Sequence, residues 1–147
     1  MYAEMSDILH ERVIGEYSIE KFSIKERDLY AMVHGISPGK YVRLCHKREV
    51  VMSDTDMEKR TNAKFVANAH GNVLIGGLGI GMILLAIQDK SNVDRIVVVE
   101  KSKEVIGLVK DQIPLNDKVE IVNADVWEYT PLCKFNTIYL DIWNYIN

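Results

Sequence analysis

The sequence is short of several things that would point elsewhere. Only 2 cysteines and 3 prolines occur in 147 residues. Cys45 and Cys133 form no CxxC pair and no apolar leader opens MYAEMSDILHER, so a disulfide scaffold is excluded and a cytoplasmic setting is expected. Net charge is small, −3, giving no bulk attraction to nucleic acid or anionic membrane. A basic cluster, Lys40, Arg43, His46, Lys47 and Arg48, reads as a solvated strand edge. His10, His34, His46 and His70 have no metal-ligand spacing, so no metal is expected. Also missing are GxxxxGK[ST], which removes a polyphosphate cradle, and GxSxG, which removes the serine-hydrolase elbow.

Long uncharged runs are also scarce. The one candidate is Gly71 to Gln88, near the lower limit for a membrane span, but five glycines interrupt it and a strand pattern follows at once. No membrane partner is expected. With 48% hydrophobic and 27% charged residues and no internal repeat, the composition is that of a globular chain with a real core.

Two grammars divide the chain. Residues 1–52 read as a small antiparallel β region: Ile14, Tyr17, Ile19, Phe22 and Ile24 alternate roughly with polar residues, and Ser37-Pro38-Gly39 marks a turn before Tyr41–Leu44. Residues 53–147 form the second region. It opens on a helix, with Thr55 and Glu58 spaced as a capping box and Ala63, Val66, Ala67 and Ala69 continuing it. Then Val73–Ile75, Ile96–Val99, Val119–Val122 and Thr137–Leu140 are apolar throughout, as strands buried on both faces are. Helices are expected between them, the last one short. In the clearest, Ser102 caps and Val105, Ile106, Val109 and Ile113 form a stripe stopped by Pro114. The fold class is therefore α/β: a doubly wound, Rossmann-like parallel sheet that stops after its fourth strand.

The chemistry gathers at the strand ends. The run VLIGGLGIGM passes from strand to a turn with Gly76, Gly77, Gly79 and Gly81, where a ligand can lie against backbone. The spacing is GxGxG, since Met82 takes the slot of the third glycine of GxGxxG; nicotinamide cofactors become less favoured. The second strand ends in Glu100, 21 residues beyond Gly79, near the offset at which a carboxylate meets ribose hydroxyls. Lys101 follows it, Asp125 and Val126 follow the third strand, and Asp141 follows the fourth.

Together, VLIGGLGIG, IVVVEKSKEVIGLVK, VEIVNADVWEY and FNTIYLDIW resemble the successive motifs of class I S-adenosylmethionine-dependent methyltransferases, especially their spermidine-synthase-like branch. The resemblance implies S-adenosylmethionine as cofactor. It places the glycine turn under the methionine part, Glu100 on the ribose, and Asp125 on the adenine amino group with Val126 lining its pocket. MSDTDMEKR resembles the segment leading into the core of spermidine synthases. Two departures weigh against polyamine chemistry: Ile80 stands where aminopropyltransferases carry an aspartate, and Asp141 is followed by Asn144 rather than a second aspartate. Methyl transfer to a small-molecule or other acceptor is thus the leading expectation, with Asp141 catalytic and Trp143 and Tyr145 as an aromatic wall. Aminopropyl transfer and non-catalytic cofactor binding or assembly are the alternatives. The fourth strand is expected to be an apolar edge needing cover, from the N-terminal strands, a second copy of the chain, or further C-terminal structure.

Overall fold

A computed structural model of the protein describes residues 2–140. Asp141, Trp143, Asn144 and Tyr145 lie outside the described residues.

Two four-stranded sheets share one core. The first is antiparallel, in order β1 (Arg12–Ile14), β2 (Tyr17–Ile24), β3 (Gly39–His46) and β4 (Glu49–Ser53), with short helices α1 (Met5–Ile8) and α2 (Leu29–Val33) beside it. Between β3 and β4 the chain reverses over two residues, with φ +50° at Lys47 and +71° at Arg48. Type I′ hairpin geometry demands such angles, though neither residue is the glycine or asparagine that adopts them cheaply. The basic cluster is partly neutralised from β2 and the turn before it. Arg43 bonds Glu20 at 3.0 Å, and His46 and Lys47 lie 3.3 and 3.5 Å from Glu16.

α3 (Asp56–Asn68) then leads to the parallel sheet: β5 (Gly71–Gly76), α4 (Met82–Gln88), β6 (Val93–Glu100), α5 (Lys103–Val109), β7 (Val119–Asn123) and β8 (Thr137–Leu140). The strand order is β7-β6-β5-β8, that of a Rossmann-like parallel sheet, the fold class expected from the sequence. Ser102 caps α5, its Oγ accepting from the Val105 N–H at 3.2 Å. Thr55 also sits at a helix N-cap but does not cap. Its hydroxyl is 3.1 Å from that of Ser53, so the expected capping box does not form.

Burial patterns correct the simpler picture of uniformly buried strands. β5 and β6 are buried along most of their length, whereas β7 is at most half-buried and β8 alternates, with Ile138 59% and Leu140 39% exposed. The reason is an asymmetry of cover. Val73, Ile75, Ile96 and Val98 pack with side chains of α4, α5 and the antiparallel sheet in one large core. On the opposite face Leu74, Val97 and Val99 meet Ala124, Val126, Tyr129 and Phe135. Those residues belong to a connection without the expected short helix: 124–136 runs as turns and bends. α3 presents Asn62, Phe65 and Val66 inward, with Ala69 buried at its C-cap, and leaves Ala63 and Ala67 exposed, because the Phe65 ring packs on Tyr139 of β8 at 4.6 Å. In α5 the buried stripe includes Leu108, with Ile106 only half-buried.

Candidate functional site

The carboxyl ends of β5, β6 and β7 lie side by side, the place where ligands bind in open α/β sheets. There Gly77, Val99, Glu100, Lys101, Asp125, Val126 and Trp127 line a cleft open to solvent, with about 70 Å³ of free space.

Glu100 is the best-anchored group in it. Only 3% exposed, it accepts from the Leu78 N–H with one oxygen and from the Ser102 N–H with the other, both at 2.9 Å. The carboxylate thereby ties the glycine turn to the start of α5. A buried carboxylate is tolerated when charge-assisted bonds offset its lost hydration, and two backbone donors do so here. Asp125 heads a tight turn in which its side chain accepts from the Trp127 N–H at 3.0 Å, and its other oxygen lies 3.7 Å from the Lys101 ammonium. The cleft thus offers two carboxylates on adjacent strand ends, one ammonium, and an apolar wall from Val99, Val126 and the largely exposed Trp127 ring.

The glycines divide by role. Gly77 lines the cleft. Gly76 lies behind it, where a Cβ would come within 2.8 Å of Leu140 Cδ2. Gly79, at φ +55°, runs directly beneath Met52 of β4, whose sulfur an added Cβ would strike. Gly81, at φ +80°, is the N-cap of α4 and faces Ile113. Four of the turn's N–H groups are engaged within the chain: Gly77 on the Val99 carbonyl, Leu78 on Glu100, Ile80 on the Met52 sulfur and Gly81 on the Leu78 carbonyl.

Sequence reasoning missed three contributors. Asn123 donates to the carbonyls of both Glu100 and Lys101, at 2.9 and 3.0 Å, and so holds the β6 terminus against β7. Trp127 carried a signal, an aromatic two residues beyond a strand-end carboxylate. Met52 carried none, because its contact with Ile80 spans 28 positions of sequence.

Next to this site lies a buried polar segment, Ser53, Asp54 and Thr55. Asp54 is 2% exposed, and burial pushes its carboxyl above the usual aspartate value despite the bond it accepts from the Val42 N–H at 2.8 Å. Asn62 and the Tyr139 hydroxyl are hydrogen-bonded to each other close by. Among the described residues no group of acidic, histidine or cysteine side chains is arranged to hold a metal, and no helix is long and apolar enough to cross a membrane.

This arrangement of sheets has a solved counterpart. The crystal structure of spermidine synthase from Thermotoga maritima superposes with a TM-score of 0.60 over 91% of the chain, at 18% sequence identity. The chain shares a Rossmann-like fold with that structure. It corresponds to 48% of that chain's length. No family model and no curated protein matches the sequence.

Proposed function

We propose that the chain binds an adenosyl compound in the Glu100–Asp125 cleft and belongs to a transferase acting on its sulfur-borne group. The observation that carries this reading is the meeting of Gly77, Glu100, Lys101, Asp125 and Val126 around one cleft at adjacent strand ends. Glu100 accepts the ribose hydroxyls, its position fixed by the Leu78 and Ser102 amides. Asp125 accepts the adenine amino group, while Val99, Val126 and Trp127 sandwich the base and exclude water from it. Lys101 brings its ammonium to 3.7 Å from the Asp125 carboxylate beside the nucleoside.

An adenosyl sulfonium, when bound, supplies an already activated leaving group, so little acid–base work is asked of the protein. Its main contribution is holding donor and acceptor in line. The likeness to spermidine synthase favours aminopropyl transfer over the methyl transfer that the sequence first suggested. Methyl transfer remains the second reading on one observation: the turn carries Ile80, fully buried, and offers no carboxylate there to hold an ammonium.

Calorimetry of the chain with S-adenosylmethionine and its decarboxylated form, followed by mass measurement of a diamine acceptor, tests this. Saturable binding of the decarboxylated form, lost in Glu100→Ala, and a mass gain of one aminopropyl group are expected. Absence of any heat or thermal shift with either compound at millimolar concentration would refute the adenosyl reading.

A further inference from the structure

Two spaces meet at Gly77. One is the cleft; the other is a cavity over the glycine turn, lined by Gly77, Leu78, Gly81, Met82, Tyr139 and Met52 among others. They differ greatly in room. The cleft has about 70 Å³ of free space and the cavity about 10 Å³, no more than one water's worth. Met52 is one of the side chains that close the second space. Its side chain, 8% exposed, covers Gly79 and accepts the Ile80 N–H on its sulfur at 3.2 Å.

We propose that Met52 is a specificity-determining residue: the nucleoside part of an adenosyl thioether enters the cleft as it stands, and the tail on sulfur enters only when the Met52 side chain swings away. This rests on the adenosyl reading of the cleft. A 5′ substituent leaving a ribose held at Glu100 must pass Gly77, and Gly77 is the residue common to both spaces. The blocking group, –CH2–S–CH3, is itself a thioether, matching in size and polarisability the 5′ sulfur it would yield to. Gly79 allows the exchange without change in the turn, since its missing Cβ already admits a sulfur against the backbone. The chain therefore holds its own thioether where the ligand's would lie, and tail binding must offset the loss of that contact.

Titrations of adenosine and S-adenosylhomocysteine with the unmodified chain, Met52→Ala and Met52→Leu, together with the Met52 ε-methyl NMR resonance, decide the matter. Adenosine should bind all three alike, within about 3-fold, and S-adenosylhomocysteine should bind the unmodified chain no more than about 3-fold tighter than adenosine. Met52→Ala should tighten S-adenosylhomocysteine alone by about 10-fold or more, and the shorter leucine by about 3-fold should the alanine variant not fold. The Met52 methyl resonance should move with S-adenosylhomocysteine and stay in place with adenosine. A preference of 10-fold or more for S-adenosylhomocysteine by the unmodified chain, with that resonance unmoved, overturns the proposal alone. Failure of adenosine to bind any of the three overturns the adenosyl reading and this proposal with it.

Discussion

Replacing Glu100 by alanine separates structure from binding at the cleft. The carboxylate holds two buried backbone donors, the N–H groups of Leu78 and Ser102, both at 2.9 Å. Leaving a buried donor unpaired costs about 1–3 kcal/mol, and bonds to charged acceptors lie at the upper part of that range. The two losses share one acceptor and the turn can relax, so they will not simply add; about 3 kcal/mol is the expected cost. For a chain of this size that lowers the thermal midpoint by roughly 6–12 °C. Glu100→Gln retains one acceptor oxygen but turns an amide toward the second donor, so roughly half that loss is expected, about 1–2 kcal/mol. Differential scanning calorimetry of the three proteins, alone and with saturating adenosine, reads both effects. At 100 times its dissociation constant a ligand adds about 2.7 kcal/mol to the unmodified chain. That increment should vanish in both variants. An unshifted midpoint for Glu100→Ala would show that the carboxylate does not hold the turn, and a full ligand increment in Glu100→Gln would remove Glu100 from ribose recognition.

Other expectations concern the turn, the hairpin and the buried aspartate. Gly79→Ala should lose about 1–2 kcal/mol from its left-handed angle alone and more from displacing Met52. In chemical denaturation, the double variant Gly79→Ala/Met52→Ala should be less destabilised than the sum of the single ones; strict additivity would deny the contact. Arg48→Gly relieves the +71° angle of the β3–β4 hairpin and should raise the unfolding free energy by about 0.5–1 kcal/mol, against an exposed side chain with little to lose; a lower urea midpoint would contradict it. Asp54 is raised by burial, so the folded state holds its proton more tightly than the unfolded state. Its contribution is full below the unfolded aspartate value near 3.8 and is lost as pH rises through the higher folded value. Asp54→Asn should therefore flatten the fall of stability with rising pH above pH 4, keeping an acceptor for the Val42 N–H; an unchanged pH profile would argue against this.

The parallel sheet was legible because its inner strands are written in local pattern. Val73–Ile75 and Ile96–Val99 are apolar at every position, as burial on both faces requires, and the glycine run fixed where the first of them ends. Identical logic failed for Val119–Val122, which are at most half-buried, and for Thr137–Leu140, whose side chains alternate in exposure. Nothing in their own sequence reveals that the chain between them makes turns instead of a covering helix. At the site, Gly77, Glu100, Lys101, Asp125 and Val126 share the cleft, because strand-end position is a property of pattern and topology. Gly76, Gly79 and Gly81 instead give room to Leu140, Met52 and Ile113, and Asp141 lies outside the described residues. Thr55 shows the limit in miniature. Its spacing to Glu58 fits a capping box, but Ser53 two residues earlier competes for the hydroxyl, and proximity prevails.

The contact of Met52 with the glycine turn also makes the two sheets mechanically dependent. A fray that peels β4 from its hairpin withdraws the sulfur from the Ile80 amide and frees the loop that carries Gly77. By reciprocity, a nucleoside that stiffens that loop and leaves the Met52 contact in place will slow amide hydrogen exchange in Val50–Ser53, on the neighbouring sheet.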